Sequence, residues 1–297
     1  MNPPSVLIIG LGSIGRRHAR ILRALRPDAK IFALRSGKGL GPEEGVTDVR
    51  DLSDLPGKID LTIISSPTDL HREHVQKALL LSPAPFLFLE KPLALTVSDG
   101  EAIVSMIERA GIGSYVGCCF RFHPELRKFH DELQQYPRPI TSVRAVCRSW
   151  LPDWQPGRDY HESFRASATR SGGVHLELIH ELDYVTWIFG APKKRIVELR
   201  HVPELGISAP AEAHYEFTYP TYTATIDLSY ASHERERMLT VTFADGSSHT
   251  IDLLLPPAAF DAVYAAQLRH VLTCVEGRGH SLHPVREALG TLRLALP

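Results

Sequence analysis

Two short stretches of this sequence carry residues able to move a proton. The first, FLFLEKPLA at 86–94, ends an apolar run on Glu90, Lys91 and Pro92. A lysine held at the end of a buried strand can give a proton to, or take one from, an oxygen whose carbon exchanges a hydride. The proline after it allows a cis bond that aims the side chain inward. Alone, such a lysine is more often a solvated charge, so the reading needs a second group. That group lies in HLELIHELDYVTWIF at 175–189, which spaces Glu177, His180 and Tyr184 at i, i+3 and i+7 on one face of a helix and sets Leu178, Leu182 and Val185 on an apolar side. A histidine with a carboxylate one turn away is an acid/base pair, because the carboxylate fixes the tautomer and raises imidazole basicity. A structural histidine is the plainer alternative. Glu177, His180 and Asp183 are also ligand types for a metal, but no HExxH or similar spacing accompanies them, and no metal is expected.

The elements that must position these groups begin with VLIIGLGSIG at 6–15. Gly10, Gly12 and Gly15 follow a strand and open a helix. Gly10 serves the tight turn, Gly12 the close approach of a pyrophosphate and Gly15 the packing of helix on strand. Ser13 and Ile14 stand in the first turn, where unpaired amides and a partial positive charge favour phosphate. A plain strand-to-helix turn is the competing reading. About 20 residues past Gly15 an NAD site places an acid at the end of the second strand. Here the sequence is ALRSGKG, so Arg35, with Ser36 and Lys38 beside it, stands in that place. A cation plus a hydroxyl suits a 2′-phosphate, which points to NADP over NAD; a solvated strand-end charge is the alternative.

Around the glycine loop, apolar runs at 6–10, 30–34, 61–65, 85–90 and 114–119 alternate with helical stretches at 16–25, 70–80 and 97–110, the last capped by Thr96. This is the rhythm of βα units and a parallel sheet. After residue 120 the pattern changes. A helix at 124–135 precedes a strand at 140–150, a polar loop covers 151–173, and a helix runs from 174 to 189. Five strands follow with short turns between them, which implies an antiparallel sheet, and helices at 258–276 and 284–295 close the chain. The expected class is α/β: a dinucleotide-binding half of parallel type over 1–119, then an α+β half over 120–297 dominated by one antiparallel sheet.

The bulk composition narrows the partners. With 297 residues, 43% apolar and 23% charged, the chain has ordinary globular composition and the length of two domains. Its 33 basic and 34 acidic side chains nearly cancel, so no global charge draws it to nucleic acid or an anionic membrane. Four cysteines without a CxxC pair read as reduced thiols. The first apolar run is too short for a span and lacks the basic segment of a secretory signal, so a cytoplasmic protein is expected.

With ISSPTDLH at 64–71, EKP at 90–92, FRFHP at 120–124 and GG…E..H..DY at 172–184 added to the glycine loop, the sequence resembles the glucose-fructose oxidoreductase/inositol dehydrogenase/MocA (Gfo/Idh/MocA) family over nearly its whole length. The resemblance implies an N-terminal NAD(P)-binding Rossmann domain over 1–119 and a C-terminal α+β domain over 120–297 whose large, mostly antiparallel open sheet serves substrate binding and oligomerisation. It also implies that Lys91 lies by the nicotinamide and the substrate oxygen and that His180 is the acid/base. It implies that Ser66, Pro67 and His71 border the cofactor beside Glu90, and that Arg121 begins the substrate-side wall, which Asp183 shares. Many members carry an acid four residues before the histidine, whereas Glu177 is three before it. The form ELIHELDY looks like the branch found with surface-polysaccharide and amino-sugar biosynthesis, which points to a sugar or nucleotide-sugar substrate. Trp150, Trp154, Arg158 and Tyr160 offer ring faces and a cation to such a ligand, or simply fold the loop.

The expected activity is hydride transfer between a nicotinamide cofactor and a sugar-like or polyol carbon. The alternatives are a dinucleotide-sensing regulator on the same scaffold and a reductase of an imine or linear tetrapyrrole. An exposed sheet face leads to a homodimer or homotetramer. The chain ends at LRLALP, earlier than the resemblance predicts, so a last strand is expected to be missing or supplied differently.

Overall fold

A computed structural model describes residues 3–37 and 41–297. Its contacts divide the chain into two units, Met1–Cys118 with Pro257–Gly290 and Cys119–Pro256 with Thr291–Pro297.

The first unit is built on six parallel strands. They are β1 (Ser5–Ile9), β2 (Lys30–Leu34), β3 (Val46–Val49), β4 (Leu61–Ile64), β5 (Phe86–Leu89) and β6 (Gly113–Val116), in the order β3-β2-β1-β4-β5-β6. The runs LTII and FLFL are buried at every position, as strands covered by helices on both faces must be. The helices are α1 (Ser13–Leu25), α2 (His71–Leu81) and α3 (Val97–Ala110). Thr96 caps α3 by accepting from the Asp99 amide at 3.1 Å, and Gly111, at φ 64°, ends it in the left-handed region that glycine favours. Strand order reverses between β1 and β4, so the crevice beyond their C-terminal ends is where such a sheet receives a ligand.

The second unit carries α4 (Pro124–Gln135), β7 (Ile140–Trp150), α5 (Ala168–Ser171), α6 (Val174–Glu177), α7 (His180–Phe189), β8 (Lys194–Arg200), β9 (Glu212–Thr218), β10 (Thr223–Ser229), β11 (Ala231–Phe243) and β12 (Ser248–Asp252). Its sheet runs β12-β11-β7-β10-β9-β8, antiparallel except where β7 and β10 pair in parallel. Along β9, Ala213, Tyr215 and Phe217 turn inward while Glu212, His214 and Glu216 are half-exposed, the alternation of a sheet with one face on a core.

Four expectations change. The strand β3 is absent from the sequence reading because VTDV, exposed at Thr47 and Asp48, carries no apolar run. Consecutive strands need not be neighbours: β7 lies between β10 and β11, and a register shift between Ala231 and Glu236 marks where β11 leaves regular pairing with it. The helix over 174–189 is two helices. Leu178, at φ −98° and ψ 34°, leaves the helical region, and Glu181 N reaches Leu178 O in a tighter turn before α7 proceeds. Finally α8 (Pro257–Val275), grouped by sequence with the second domain, packs on the first unit, as does the start of α9 (Val285–Ala295). Arg17 of α1 pairs with Asp261 at 3.0 Å and lies over the Phe260 and Tyr264 rings at 5.4 and 5.0 Å. An amphipathic helix must cover some apolar surface, and its own sequence does not say which.

Candidate functional site

In the first unit the site groups stand at the C-terminal ends of β1, β4 and β5. Gly10 has φ 94°, and a Cβ there would fall 2.7 Å from the Ser66 amide nitrogen; one on Gly15 would overlap the Gly10 carbonyl and reach Ser65 Oγ at 2.8 Å. These two glycines are therefore packing requirements. Gly12 differs: nothing lies within 4 Å of the Cβ position, and as N-cap of α1 it supplies no side-chain cap. Open space beside uncapped amides fits a pyrophosphate, with Ser13 and Ile14 in the turn that would receive it.

Arg35, at the end of β2, donates to Asp48 Oδ2 of β3 at 2.7 Å, with Ser36 exposed beside it. Lys38 lies outside the described residues. Asp48 is a functional candidate that the sequence reading misses, since it belongs to the unrecognised strand.

Beyond β4, His71 ties two loops together. Its Nε2 faces Ser66 O at 3.1 Å and its Nδ1 faces Leu93 O at 3.2 Å, and burial holds its pKa below the ordinary imidazole value against the pull of these carbonyls. Ser66 Oγ is 2.8 Å from His74 Nδ1, an imidazole also lowered by burial. The Ser66-Pro67 segment is thus fixed from two sides. Beyond β5, the Lys91–Pro92 bond is cis and Lys91 is half-buried. Glu90 is 5% exposed and turned inward, with Oε1 2.6 Å from His18 Nε2 and Oε2 accepting from Lys91 N at 3.2 Å. His18, on α1, carries no signal in the sequence beyond its place after the glycine loop.

In the second unit the site candidates are held by arginines. Arg121, 1% exposed, donates to both oxygens of the fully buried Asp183, Nε to Oδ2 at 3.0 Å and Nη2 to Oδ1 at 2.7 Å. The two expected substrate-side residues therefore meet each other. Glu177, at the end of α6, accepts from Arg165 Nε at 3.1 Å, while His180 opens α7, is 6% exposed and lies 5.2 Å from the Phe120 ring. Phe120 carries the Arg237 guanidinium at 3.8 Å on its ring, and Arg237 in turn grips Glu181 at 2.6 and 3.0 Å. Tyr184 is fully buried near that pair, and burial, with the Glu181 charge adding to it, raises its phenol well above the ordinary value. Of the loop residues, Tyr160 spends its hydroxyl proton on Leu205 O at 3.1 Å and Arg158 is exposed. Trp154 donates to Ser149 Oγ at 2.8 Å and stands edge-on to Tyr230. Arg165 and Arg237 are absent from the sequence reading, because no periodicity or motif links them to their acids.

Residues 5–118 match the family model described as an oxidoreductase family with an NAD-binding Rossmann fold, GFO_IDH_MocA. The chain is similar to a scyllo-inositol 2-dehydrogenase (NAD(+)) of Bacillus subtilis, 30% identical over 62% of this chain and 53% of that protein. It is similar to a D-apiose dehydrogenase of Paraburkholderia graminis, 24% identical over 97% of this chain and 84% of that one. In fold it matches the crystal structure of a myo-inositol 2-dehydrogenase from Lactobacillus plantarum, with TM-score 0.82, 21% identity and 99% and 95% of the two chains covered. The chain spans about half the length of the inositol dehydrogenases whose sequences it matches, 54% and 53%. Among the described residues no helix is long and apolar enough to cross a membrane. Glycine loop, strand order and sequence matches agree that residues 5–118 are similar to the NAD-binding Rossmann part of the Gfo/Idh/MocA oxidoreductase family.

Proposed function

We propose that this chain is an NAD(P)-dependent oxidoreductase acting on a CH–OH carbon of a sugar, nucleotide-sugar or polyol. The observation that carries the reading is the pairing, within the first unit, of an open, uncapped helix N-terminus at Gly12 with a half-buried lysine at the end of β5. A nicotinamide dinucleotide held at the glycine loop supplies hydride transfer. Lys91 handles the substrate hydroxyl proton. His180 is the acid/base group of the second unit, with Glu177, steadied by Arg165, as its orienting neighbour. The second unit recognises the sugar, through Tyr160, Arg158 and the region around the Arg121–Asp183 pair. Arg35 and Ser36 favour NADP.

The protein works in the cytoplasm as a homodimer or homotetramer. Arg144, Arg148, His214, Glu216 and Asp227 line a groove on the second sheet, and this mixture of signs suits self-association. Light scattering reads the oligomer directly.

The activity test is incubation with NAD or NADP and a panel of inositols, aldoses and nucleotide-sugars, followed at the reduced-nicotinamide absorbance band. Turnover on one class identifies the substrate. Tight dinucleotide binding with no redox change on any compound would overturn the enzyme reading in favour of a sensor, and activity confined to imines or linear tetrapyrroles would replace the substrate class.

A further inference from the structure

Glu90 is among the most enclosed acids of the first unit, and its surroundings are specific. Its carboxylate is backed by Gly117, where a Cβ would lie 3.0 Å from Oε2 and 3.2 Å from Oε1. The backbone on either side is pinned, Glu90 N to Ile64 O and Gly117 N to Leu89 O, both at 2.8 Å. One oxygen meets His18 Nε2 at 2.6 Å and the other takes the Lys91 amide at 3.2 Å. His18 is 0% exposed, its ring edge-on to Phe88 and Tyr264 at 5.0 and 5.9 Å, and its Nδ1 has no hydrogen-bond partner among the described residues. A carboxylate only accepts, so Nε2 carries the proton. The opposite tautomer would bury an N–H with nothing to receive it, which makes this orientation the single satisfied one. An aromatic box, one donor and one backing glycine thus converge on a carboxylate bound to the backbone of the lysine.

We propose that His18 and Glu90 are a positioning pair for Lys91, fixing the lysine to α1, the helix that opens at the glycine loop. The pair touches no reacting atom. It makes the helix that would receive the dinucleotide and the group that would handle the substrate proton parts of one rigid piece. What Lys91 does rests on the oxidoreductase reading above; the positioning itself does not.

Three variants test it. Glu90→Gln keeps the shape but offers one acceptor to two N–H donors. His18→Phe fills the aromatic box without a donor. His18→Gln restores a donor. In wild type the 13Cε resonance of Lys91, read in 13C-lysine-labelled protein, is expected to show restricted motion. In Glu90→Gln and His18→Phe it sharpens toward that of an exposed lysine. With the active substrate, kcat falls by about 10–100-fold in both. The affinity for NADH, by fluorescence titration, changes less than about twofold, and the deuterium isotope effect of the substrate rises as chemistry becomes limiting. His18→Gln recovers kcat to within about threefold of wild type. If His18→Phe fails to fold, Glu90→Gln decides alone. A Lys91 resonance and kcat that stay at wild-type values in a folded Glu90→Gln protein would overturn the positioning pair. A Lys91 resonance that loosens in the variants, in a protein that oxidises no sugar or polyol, would uphold the pair and overturn the oxidoreductase reading.

Discussion

The two units hold their candidate chemistry in different ways. At the edge of the parallel sheet, positions are set by backbone, glycine and histidine: Gly10 and Gly15 pack where no side chain fits, His71 spans two carbonyls, and Glu90 rests between His18 and an amide. Around α6 and α7, three enclosed acids each take an arginine from elsewhere in the chain, Glu177 from 12 residues away, Glu181 from 56 and Asp183 from 62. Backbone geometry is carried by local sequence, whereas charge pairs of long range exist only once the chain has folded. The first arrangement tolerates little variation in shape. The second is sensitive to charge.

The sharpest way to break this contrast is to remove one charge from the second unit. Asp183→Asn removes the carboxylate charge that the Arg121 guanidinium, 1% exposed, grips with two hydrogen bonds. Losing one partner of such a pair costs about 3–5 kcal/mol, whereas replacing both with apolar groups of similar volume is close to neutral. Urea unfolding followed by tryptophan fluorescence should therefore show a large loss in Asp183→Asn and a substantial recovery in the Arg121→Met, Asp183→Leu double variant. A single-variant loss below about 1 kcal/mol would mean that solvent screens the pair as it screens surface ones.

Next in size is a pH effect, also in the second unit. His175, on α6, is buried, and burial lowers its pKa from 6.5 to about 4. Between these values the unfolded chain binds a proton that the folded chain refuses. The stability that depends on a neutral His175 is therefore complete above pH 6.5, declines as pH falls, and is gone below about 4. The whole span is about 3 kcal/mol. His175→Phe should flatten that part of the stability curve, and an unchanged acid limb would show that another group governs it.

These effects also mark what the sequence made legible. The helix at 97–110 and the strand at 140–150 match their observed bounds because each carries its own signal, Thr96 before one and an eleven-residue β-forming run in the other. The glycine loop and the lysine at the end of β5 were legible for the same reason: their geometry is written within a few residues. The single continuous helix that the sequence suggests for Glu177 and His180 is not there, since Leu178 breaks the helix between them, and no local signal announces that break. Nor could α8 be assigned to its unit, because what it covers depends on Arg17, His18 and the sheet far upstream.

Two substitutions in the first unit test the shape-bound side of the comparison. On the proposed reading, Lys91→Met should lower turnover by about a hundredfold while leaving NADH affinity nearly intact, since it would remove a proton-transfer group and little contact surface. Near-normal kcat would dismiss Lys91 from the chemistry. Gly12→Ala should leave thermal stability almost unchanged, because space is open there, yet weaken dinucleotide binding by about tenfold by holding the phosphates off the helix N-terminus. Gly15→Ala should instead cost about 1–3 kcal/mol of stability, since its Cβ would meet the Gly10 carbonyl and Ser65. Equal behaviour of the two variants would erase the distinction between a glycine kept for ligand and one kept for packing.

The smallest expected effect tests a place where the first unit uses charge. Arg35 is already held by Asp48 at 2.7 Å, so a 2′-phosphate must compete with a carboxylate for the guanidinium, and that carboxylate also repels it. The proposed preference for NADP should therefore be modest. Arg35→Ala is expected to weaken NADPH binding by about tenfold and NADH binding by less than about twofold. Asp48→Asn, which frees the guanidinium and removes the repulsion, should strengthen NADPH binding severalfold and leave NADH nearly unaffected. If both substitutions move the two cofactors equally, the Arg35–Asp48 bridge is a brace between β2 and β3, and the choice between NAD and NADP is made elsewhere.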